Sequence, residues 1–228
     1  MFKLRLDDIK NRISGAVYRS KRLPEEITLV AVSKTVDVGA VMEVFRLGVG
    51  DFGENRVAEL KKKQSSLPRA RWHMIGQLQT NKVKDLITPE RQPFLIHSLD
   101  RWTLAQELDK RGRALNILID ALVQVNVAQE PQKSGLELQE VAQFLEAVGQ
   151  ELGNLRIKGF MTMAPLIDHA EEVRPVFKEL TALKRKLGQM SFPPNISLQH
   201  LSMGMSQDFE IAIEEGADIV RIGRSLFS

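Results

Sequence analysis

The sequence predicts a single α/β domain, a (β/α)8 TIM-type barrel with an extra helix before the first strand. Three observations lead to this fold class. Short apolar, β-branched runs recur along the chain, amphipathic stretches separate them, and glycines end several of those stretches. Strict alternation of strands and helices implies parallel pairing, and eight such units close into a barrel.

Eight segments are predicted to be strands. They comprise residues 27–33, 50–53, 71–77, 94–99, 116–127, 155–163, 196–203 and 218–223. The first five begin roughly 22 residues apart, a spacing that suits compact βα units. An open doubly wound sheet is the alternative, but the glycine fingerprint G-x-G-x-x-G expected after its first strand is absent.

Helical stretches lie between these strands. Residues 3–20, within a leading segment 1–20, form a helix that we expect to occupy the place of a missing final helix. Residues 136–149 carry an apolar stripe and end at a glycine. Residues 168–188 have the same pattern, and Asp168 with Glu171 forms a capping box at their start.

The composition fits one globular domain over residues 1–228. The chain is 43% apolar, which is enough for a sizeable core. It contains no cysteine, which excludes disulfides, thiolate catalysis and thiolate metal sites and fits a reducing cytosol. The N-terminus lacks the apolar core of a signal peptide, and no run approaches the roughly 20 apolar residues of a membrane span. We therefore expect a cytoplasmic protein without membrane contact.

The charge pattern does not favour a nucleic-acid partner. The net charge is only +3. The basic clusters Lys61-Lys62-Lys63 and Lys184-Arg185-Lys186 lie on amphipathic helical stretches, where a solvated face is the usual explanation. The histidines do not have the spacing of metal ligands, so no metal is predicted. They are His73, His97, His169 and His200.

Lys34 closes the first predicted strand. A strand that ends in a lysine brings an amine to the rim of a barrel, where it can lose its proton and attack a carbonyl. In a closed barrel the first and eighth strands are neighbours, so Lys34 should lie beside Arg221, Gly223 and Arg224. Barrel phosphate sites commonly use the loops after strands seven and eight. An amine beside a phosphate site suggests pyridoxal 5′-phosphate (PLP) as the cofactor.

Ser206 lies at the start of a helix predicted over residues 207–215. Its hydroxyl and the first backbone N–H groups of that helix could cradle a phosphate dianion. The alternative is that Ser206 only caps the helix. Considered with Gly223 and Lys34, Ser206 is interpreted as a phosphate contact.

Three further residues are candidate cofactor contacts. Period-two alternation points Arg221 into the barrel mouth, where its acceptor is either a pyridine nitrogen or an inward carboxylate. Asn55 follows the second strand and either contacts a ring hydroxyl or serves as a turn residue. His73 lies within the third strand, where a satisfied core residue is the alternative to a chemical role.

Six motifs in this order resemble the YggS/PROSC family of PLP-binding, PLP homeostasis proteins. The resemblance covers nearly the whole chain, from Ile27 to Phe227. The motifs are Ala31-Val32-Ser33-Lys34, Gly53-Glu54-Asn55, Trp72-His73-Met74-Ile75-Gly76, Gly159-Phe160-Met161-Thr162-Met163, Leu201-Ser202-Met203-Gly204-Met205-Ser206 and Val220-Arg221-Ile222-Gly223.

The resemblance implies a barrel like the N-terminal domain of alanine racemase, with PLP held as a Schiff base on Lys34. It also implies phosphate contacts near Ser206, Gly223 and Arg224, and it implies that Arg221 faces the pyridine nitrogen. One departure is Arg224, which stands where many members of the family have a small hydroxyl residue.

The residues needed for catalysis are incomplete. An arginine partner leaves the pyridine a weak electron sink, and racemisation needs an acid or base on each face of the substrate. The single tyrosine, Tyr18, lies on the leading helix away from the rim. We therefore expect a monomer that carries or buffers PLP and maintains vitamin B6 and amino-acid/keto-acid homeostasis, with little or no turnover.

Two alternatives remain open at this point. One is a weak PLP-dependent, racemase-like enzyme that acts on amino acids with Lys34 as its sole base. The other is a barrel aldolase whose lysine forms a Schiff base with a phosphorylated sugar. A transient PLP-acceptor protein or a regulatory protein would be the macromolecular partner, and the sequence does not identify it.

Overall fold

The computed structural model describes residues 1–23, 26–130, 134–165 and 169–228. Eight parallel strands form a closed barrel in chain order. β1 pairs with β2 on one side and with β8 on the other, and this closure excludes the open sheet and confirms the predicted fold class. The strands are β1 (Thr28–Val32), β2 (Asp51–Glu54), β3 (Arg71–Met74), β4 (Leu95–Leu99), β5 (Ile119–Gln124), β6 (Leu155–Met161), β7 (Ile196–Ser202) and β8 (Ile219–Ile222).

Helices surround the barrel. They are α1 (Phe2–Ser20), α2 (Val38–Arg46), α3 (Val57–Ser66), α4 (Val83–Leu86), α5 (Trp102–Leu115), α6 (Val141–Glu151), α7 (Arg174–Leu187), α8 (Phe209–Glu214) and α9 (Arg224–Phe227). α1 packs against α2, α8 and α9, so the leading helix occupies the predicted place. α9 is a short helix that the sequence did not predict. Among the described residues, no helix is both long and apolar enough to cross a membrane.

Two helices begin later than predicted. Residues 137–140 form a hydrogen-bonded turn before α6, in which the Glu137 N–H donates to Glu140 Oε2 at 2.8 Å. A short 3-10 helix, Ala170–Val173, precedes α7. The Glu171 carboxylate accepts from Arg174 at 2.7 Å, and Asp168, the other half of the predicted capping box, lies outside the described residues.

The strands divide the apolar side chains between two layers. Outside the barrel, Val220 and Ile222 belong to the large cluster that packs against the helices. Inside, Ile219 belongs to a second cluster, and Arg221 is buried among polar groups. The alternation predicted for the eighth strand is therefore confirmed. The inner cluster comprises Val30, Leu95, Leu122, Met161 and Ile219.

Candidate functional site

Lys34 is exposed in the turn that follows β1, at the rim where the carboxyl ends of the strands meet. Hydrogen bonds fix the backbone of this turn. The Ser33 N–H donates to the Gly53 carbonyl at 3.0 Å, and the Val36 N–H donates to the Ser33 carbonyl at 3.2 Å. The fold therefore brings Lys34 to the predicted rim on an anchored turn.

Gly223 lies against the end of β1. A Cβ added to Gly223 would sit 3.2 Å from the Val32 carbonyl oxygen and 3.3 Å from the Val32 Cβ. A larger residue would therefore crowd the strand end that leads to Lys34. Arg224 follows as the first residue of α9 and is exposed. The predicted proximity of the loops after β1 and β8 is present in the structure.

Ser206 connects the loop after β7 with the loop after β8. The Ser225 N–H donates to Ser206 Oγ at 3.4 Å, and the Ser225 hydroxyl donates to the Ser206 carbonyl at 3.5 Å. Both distances are long for hydrogen bonds, so these groups are weakly engaged. Ser225 was not among the predicted site residues. Its position two residues after Gly223, the end of the last motif, was the signal that could have identified it.

The helix predicted over residues 207–215 begins later, at Phe209. The Met205 N–H donates to Asp208 Oδ1 at 2.5 Å, and the Asp208 N–H donates to the Met205 carbonyl at 3.2 Å. These two bonds close a turn, so the helix starts only after it. Ser206 lies two residues before Asp208, the N-cap of α8, so the predictions that Ser206 stands at the helix start or caps the helix are wrong. Its role as a phosphate contact stays a prediction.

Gly204 allows α8 to approach the loop after β7. Its φ is +91°, and a Cβ there would lie 2.5 Å from the Ala212 Cβ and 2.9 Å from the Phe209 Cα. Its carbonyl accepts the N–H of Arg221 at 3.0 Å. Gly204 thus lies where the loop after β7, α8 and β8 meet, and the space there is too small for a side chain.

Arg221 is buried inside the barrel, as the alternation predicted. Its Nη1 donates to Ser202 Oγ at 2.6 Å, and its Nη2 donates to the Thr162 carbonyl at 2.9 Å. Among the described residues, no carboxylate lies within ion-pair distance of Arg221, so the alternative of an ion pair with an inward carboxylate is not found. Burial lowers the pKa of Arg221 to about 10, and the charge of Asp208 opposes that shift. Arg221 remains a cation at neutral pH.

His73 is buried in β3. Its Nε2 lies 3.0 Å from Asp51 Oδ1, and its Nδ1 lies 2.9 Å from His97 Nε2. Both ring nitrogens are therefore engaged by protein groups. This geometry favours the interpretation of His73 as a hydrogen-bonded core residue over that of a direct cofactor contact.

Asn55 is exposed just past the end of β2. Its backbone passes directly over Gly76, where an added Cβ would overlap the Asn55 carbonyl. Asn55 also lines a cleft of about 490 Å³ beside the starts of α3 and α4. The loop after β3 thus fixes the backbone of Asn55, while its side chain stays available at the rim.

A buried cluster behind the Lys34 turn was missed by the sequence analysis. Lys63 Nζ donates to Glu54 Oε1 and to the Ser33 carbonyl, both at 2.6 Å, and the Ser33 hydroxyl donates to Glu54 Oε1 at 2.7 Å. The solvated face expected for the lysine run 61–63 is wrong for Lys63, because α3 turns that side chain toward β2. The sequence held one signal for this cluster: Glu54 is a charged residue at the end of a buried strand, and such a residue needs a buried partner.

The rim brings together hydrogen-bond donors of a particular kind. Lys34 offers an amine, Ser206 and Ser225 offer hydroxyls, and Ser225 also offers a weakly engaged backbone N–H. Such a set suits an anion and an electrophilic carbonyl on the same molecule. Among the described residues, no cluster of side chains could hold a metal ion.

Comparison with known proteins identifies relatives over the full chain. The sequence model of the alanine racemase N-terminal domain matches residues 5–228. A pyridoxal phosphate homeostasis protein of Aquifex aeolicus is 44% identical over 225 residues, which are 98% of this chain and 96% of that protein. Another, from Helicobacter pylori J99, is 36% identical over 228 residues, covering 99% of this chain and 98% of the relative.

A solved structure agrees with these relatives. The structure of PipY from Synechococcus elongatus PCC7942 with PLP bound has a TM-score of 0.84 and 32% sequence identity, and the match covers 100% of both chains. The resemblance drawn from the six motifs is therefore confirmed. The chain belongs to the family of pyridoxal phosphate homeostasis proteins, which is built on the barrel of the alanine racemase N-terminal domain.

Proposed function

We propose that this chain binds PLP at the barrel rim and carries or buffers it, maintaining vitamin B6 and amino-acid/keto-acid homeostasis with little or no turnover. The observation that carries the proposal is the meeting of the Lys34 turn, Gly223 and the Ser206–Ser225 pair on neighbouring loops of one rim. The full-length relatives named for PLP homeostasis support it, as does PipY with PLP bound.

The residues at the rim fit this cofactor. Glycine at position 223 leaves open the space that a Cβ would fill beside the Val32 carbonyl. The Ser225 N–H bond to Ser206 Oγ is long at 3.4 Å, so a phosphate oxygen can replace that acceptor at little energetic cost. Arg224 is exposed next to these donors and can add a positive charge. We assign the phosphate to Ser206, Gly223, Arg224 and Ser225.

PLP supplies an aldehyde that a lysine can bind covalently and a pyridine ring that can withdraw electrons. We assign the covalent attachment to Lys34 and the ring nitrogen to Arg221. A protonated guanidinium donates to that nitrogen and disfavours a second positive charge there. Asn55, with its backbone held against Gly76, is assigned to a polar substituent of the ring.

The same geometry argues for slight turnover. An unprotonated pyridine withdraws electrons weakly, and a racemase needs an acid or base on each face of its substrate. Tyr18 is 85% exposed near the end of α1, on the side where β1 begins rather than at the rim. The racemase-like alternative is therefore not favoured.

Further parts of the proposal concern the state of the protein. We propose that the whole chain acts as one PLP-binding domain and as a monomer. We also place it in the cytoplasm, which the absence of cysteine favours. Light scattering at micromolar concentration should give the monomer mass with and without PLP, and a stable dimer that buries the rim would contradict this part.

Amino-acid turnover by the PLP-loaded protein tests the proposed function. The protein is incubated with L-alanine or L-serine, and racemisation and deamination are followed. The expected rates are close to those of free PLP at the same concentration. A kcat near the typical enzyme value of about 10 s⁻¹ would establish an enzyme instead, and failure to retain PLP would remove the carrier function.

A further inference from the structure

A continuous row of buried polar side chains crosses the interior of the barrel. Arg221 Nη1 donates to Ser202 Oγ at 2.6 Å, and Ser202 Oγ lies 2.9 Å from His97 Nδ1. His97 Nε2 lies 2.9 Å from His73 Nδ1, and His73 Nε2 lies 3.0 Å from Asp51 Oδ1. None of the five residues exposes more than 5% of its surface. The row therefore connects β8, β7, β4, β3 and β2 through direct side-chain contacts.

When both imidazoles are neutral, only one direction of donation gives every atom of the row a partner. The Arg221 guanidinium is only a donor, so Ser202 Oγ accepts from it and gives its own proton to His97 Nδ1. At the other end the Asp51 carboxylate accepts, so the proton of His73 lies on Nε2. His97 Nε2–H must then donate to His73 Nδ1. In this arrangement both neutral imidazoles carry their proton on Nε2.

The electrostatic surroundings agree with this assignment. Burial lowers the pKa of His73. Burial lowers the pKa of His97 further, and a proton on His73 or the charge of Arg221 would each oppose a positive charge on His97. Burial alone would raise the pKa of Asp51, but hydrogen bonds from His73 and Arg71 outweigh it and leave the pKa below its ordinary value. If neutral rings donated in the opposite direction, the unprotonated Nε2 of His73 would face the ionised Asp51 carboxylate, and two lone pairs would repel each other.

We propose that Asp51, His73, His97 and Ser202 form a one-way hydrogen-bond chain that fixes the orientation of Arg221. A serine hydroxyl rotates freely and has one proton. Because His97 Nδ1 takes that proton, Ser202 keeps an oxygen lone pair turned toward Arg221. The four are positioning residues, since they act on a bound ring only through the guanidinium. The role toward the cofactor rests on the proposed function.

The acceptor end of the chain lies at the opposite end of the barrel. Asp51 and Arg71 are the first residues of β2 and β3. Arg71 binds both oxygens of the Asp51 carboxylate, at 2.7 and 2.5 Å, and its guanidinium lies 5.5 Å from the centre of the Phe94 ring. Arg71 is 56% exposed. The orientation of Arg221 therefore depends on an ion pair at the far rim, four hydrogen bonds away.

Histidine side-chain NMR tests the chain directly. In ¹⁵N-labelled protein, without PLP and then with it, the ring nitrogens of His73 and His97 should both show the neutral form with the proton on Nε2. A proton on Nδ1 of either ring, or an imidazolium form at neutral pH, would overturn the proposal. The NMR measurement on the PLP-free protein does not depend on cofactor binding. It therefore tests the hydrogen-bond chain even if the proposed function is wrong.

Substitutions of His97, in the middle of the hydrogen-bond chain, test the effect of that chain on Arg221. His97→Leu removes both the acceptor and the donor, and it should weaken PLP binding roughly tenfold, about the loss of one hydrogen bond, and shift the absorption of bound PLP. His97→Gln keeps an amide oxygen and an N–H and should recover most of the affinity and the spectrum. His200→Gln, at a partly buried position on β7 outside the chain, is the matched control and should behave as the wild type.

The outcomes separate the two proposals. Wild-type affinity and spectrum in a folded His97→Leu variant would overturn the positioning role. Equal loss in the His97→Leu and His97→Gln variants would do the same, because it would indicate packing rather than hydrogen bonding. Lack of PLP binding by the wild type would instead overturn the proposed function. If His97→Leu does not fold, the NMR assignment and the His97→Gln variant still decide the matter.

Discussion

Glu54 and Lys63 form an ion pair of 2.6 Å in which both side chains are almost completely excluded from solvent. The pair joins the end of β2 to α3, and Lys63 also donates to the carbonyl of Ser33, the residue before Lys34. Among the described residues, Glu54 Oε2 has no hydrogen-bond partner. The buried charge pair thus adds to the backbone hydrogen bonds that hold the turn carrying Lys34.

Lys63→Met should destabilise the protein by about 3–5 kcal/mol, because it leaves the buried Glu54 carboxylate without a counter-charge. The free energy of unfolding in urea measures the effect. Lys62→Met, at an exposed neighbour in the same lysine run, is the control and should change stability by less than about 0.5 kcal/mol. Equal stability of the two variants would show that the pair contributes nothing to the fold.

Lys34→Ala should abolish the covalent attachment of PLP and leave the fold intact, because Lys34 is exposed in the turn. Borohydride reduction of the PLP-loaded protein followed by peptide mapping gives the position of the label. Lys62→Ala serves as the control and should be labelled as the wild type is. Labelling of the Lys34→Ala variant with the wild-type yield would remove Lys34 from this role.

Ser206→Ala should weaken PLP retention by up to about a hundredfold, since a charge-assisted hydrogen bond contributes on the order of 1.5–3 kcal/mol. Pyridoxal without its phosphate should bind far more weakly than PLP to the wild type. Equilibrium dialysis measures both affinities, with Ser66→Ala, an exposed serine at the end of α3, as the control. Equal affinities for PLP and pyridoxal would contradict the anion site.

The buried histidines predict loss of stability on acidification. The pKa of His97 in the folded protein lies well below its ordinary value of 6.5, because burial opposes the charge. The unfolded chain therefore takes up a proton below about pH 6.5 that the folded protein does not, and stability falls as the pH drops from there. His97→Gln removes this contribution and should reduce the slope by up to about 1.4 kcal/mol per pH unit.

Urea unfolding of the wild type and the His97→Gln variant at pH 7 and pH 5 measures that slope. The contribution of His97 is fully present above pH 6.5, so the pH dependence of the two proteins should differ only below it. An unchanged slope in the variant would mean that His97 is protonated in the folded state as readily as in the unfolded chain.

The sequence predicted the barrel and the neighbourhood of β1 and β8 because both follow from patterns that are local in the chain. Period-two alternation placed Arg221 inside, and strand order placed the end of β1, which leads to Lys34, beside Gly223. The start of α8 could not be predicted in the same way, because a hydrogen-bonded turn over residues 205–208 precedes the helix.

The polar contacts inside the barrel were beyond sequence reasoning for a different reason. His97 contacts Ser202, which lies 105 positions away in the chain, and it also contacts His73, which lies 24 positions away. Lys63 is buried because α3 presents one of three adjacent lysines to Glu54, and that choice depends on the rotation of the helix against the sheet. Such pairings are set by tertiary packing rather than by composition or periodicity.

The packing of α1 against α8 and α9 has a consequence for how the chain folds. Arg12 on α1 contacts Glu210 on α8 across 198 positions, and β1 pairs with β8. During synthesis from the N-terminus, β1 and α1 can meet β2 and α2 early, but their other neighbours, β8, α8 and α9, are made much later. Closing such long loops is slow, and unpaired strand edges invite aggregation meanwhile. The barrel therefore closes only once β8 has emerged, and until then the part of α1 that packs against α8 and α9 is an exposed surface that chaperones can hold.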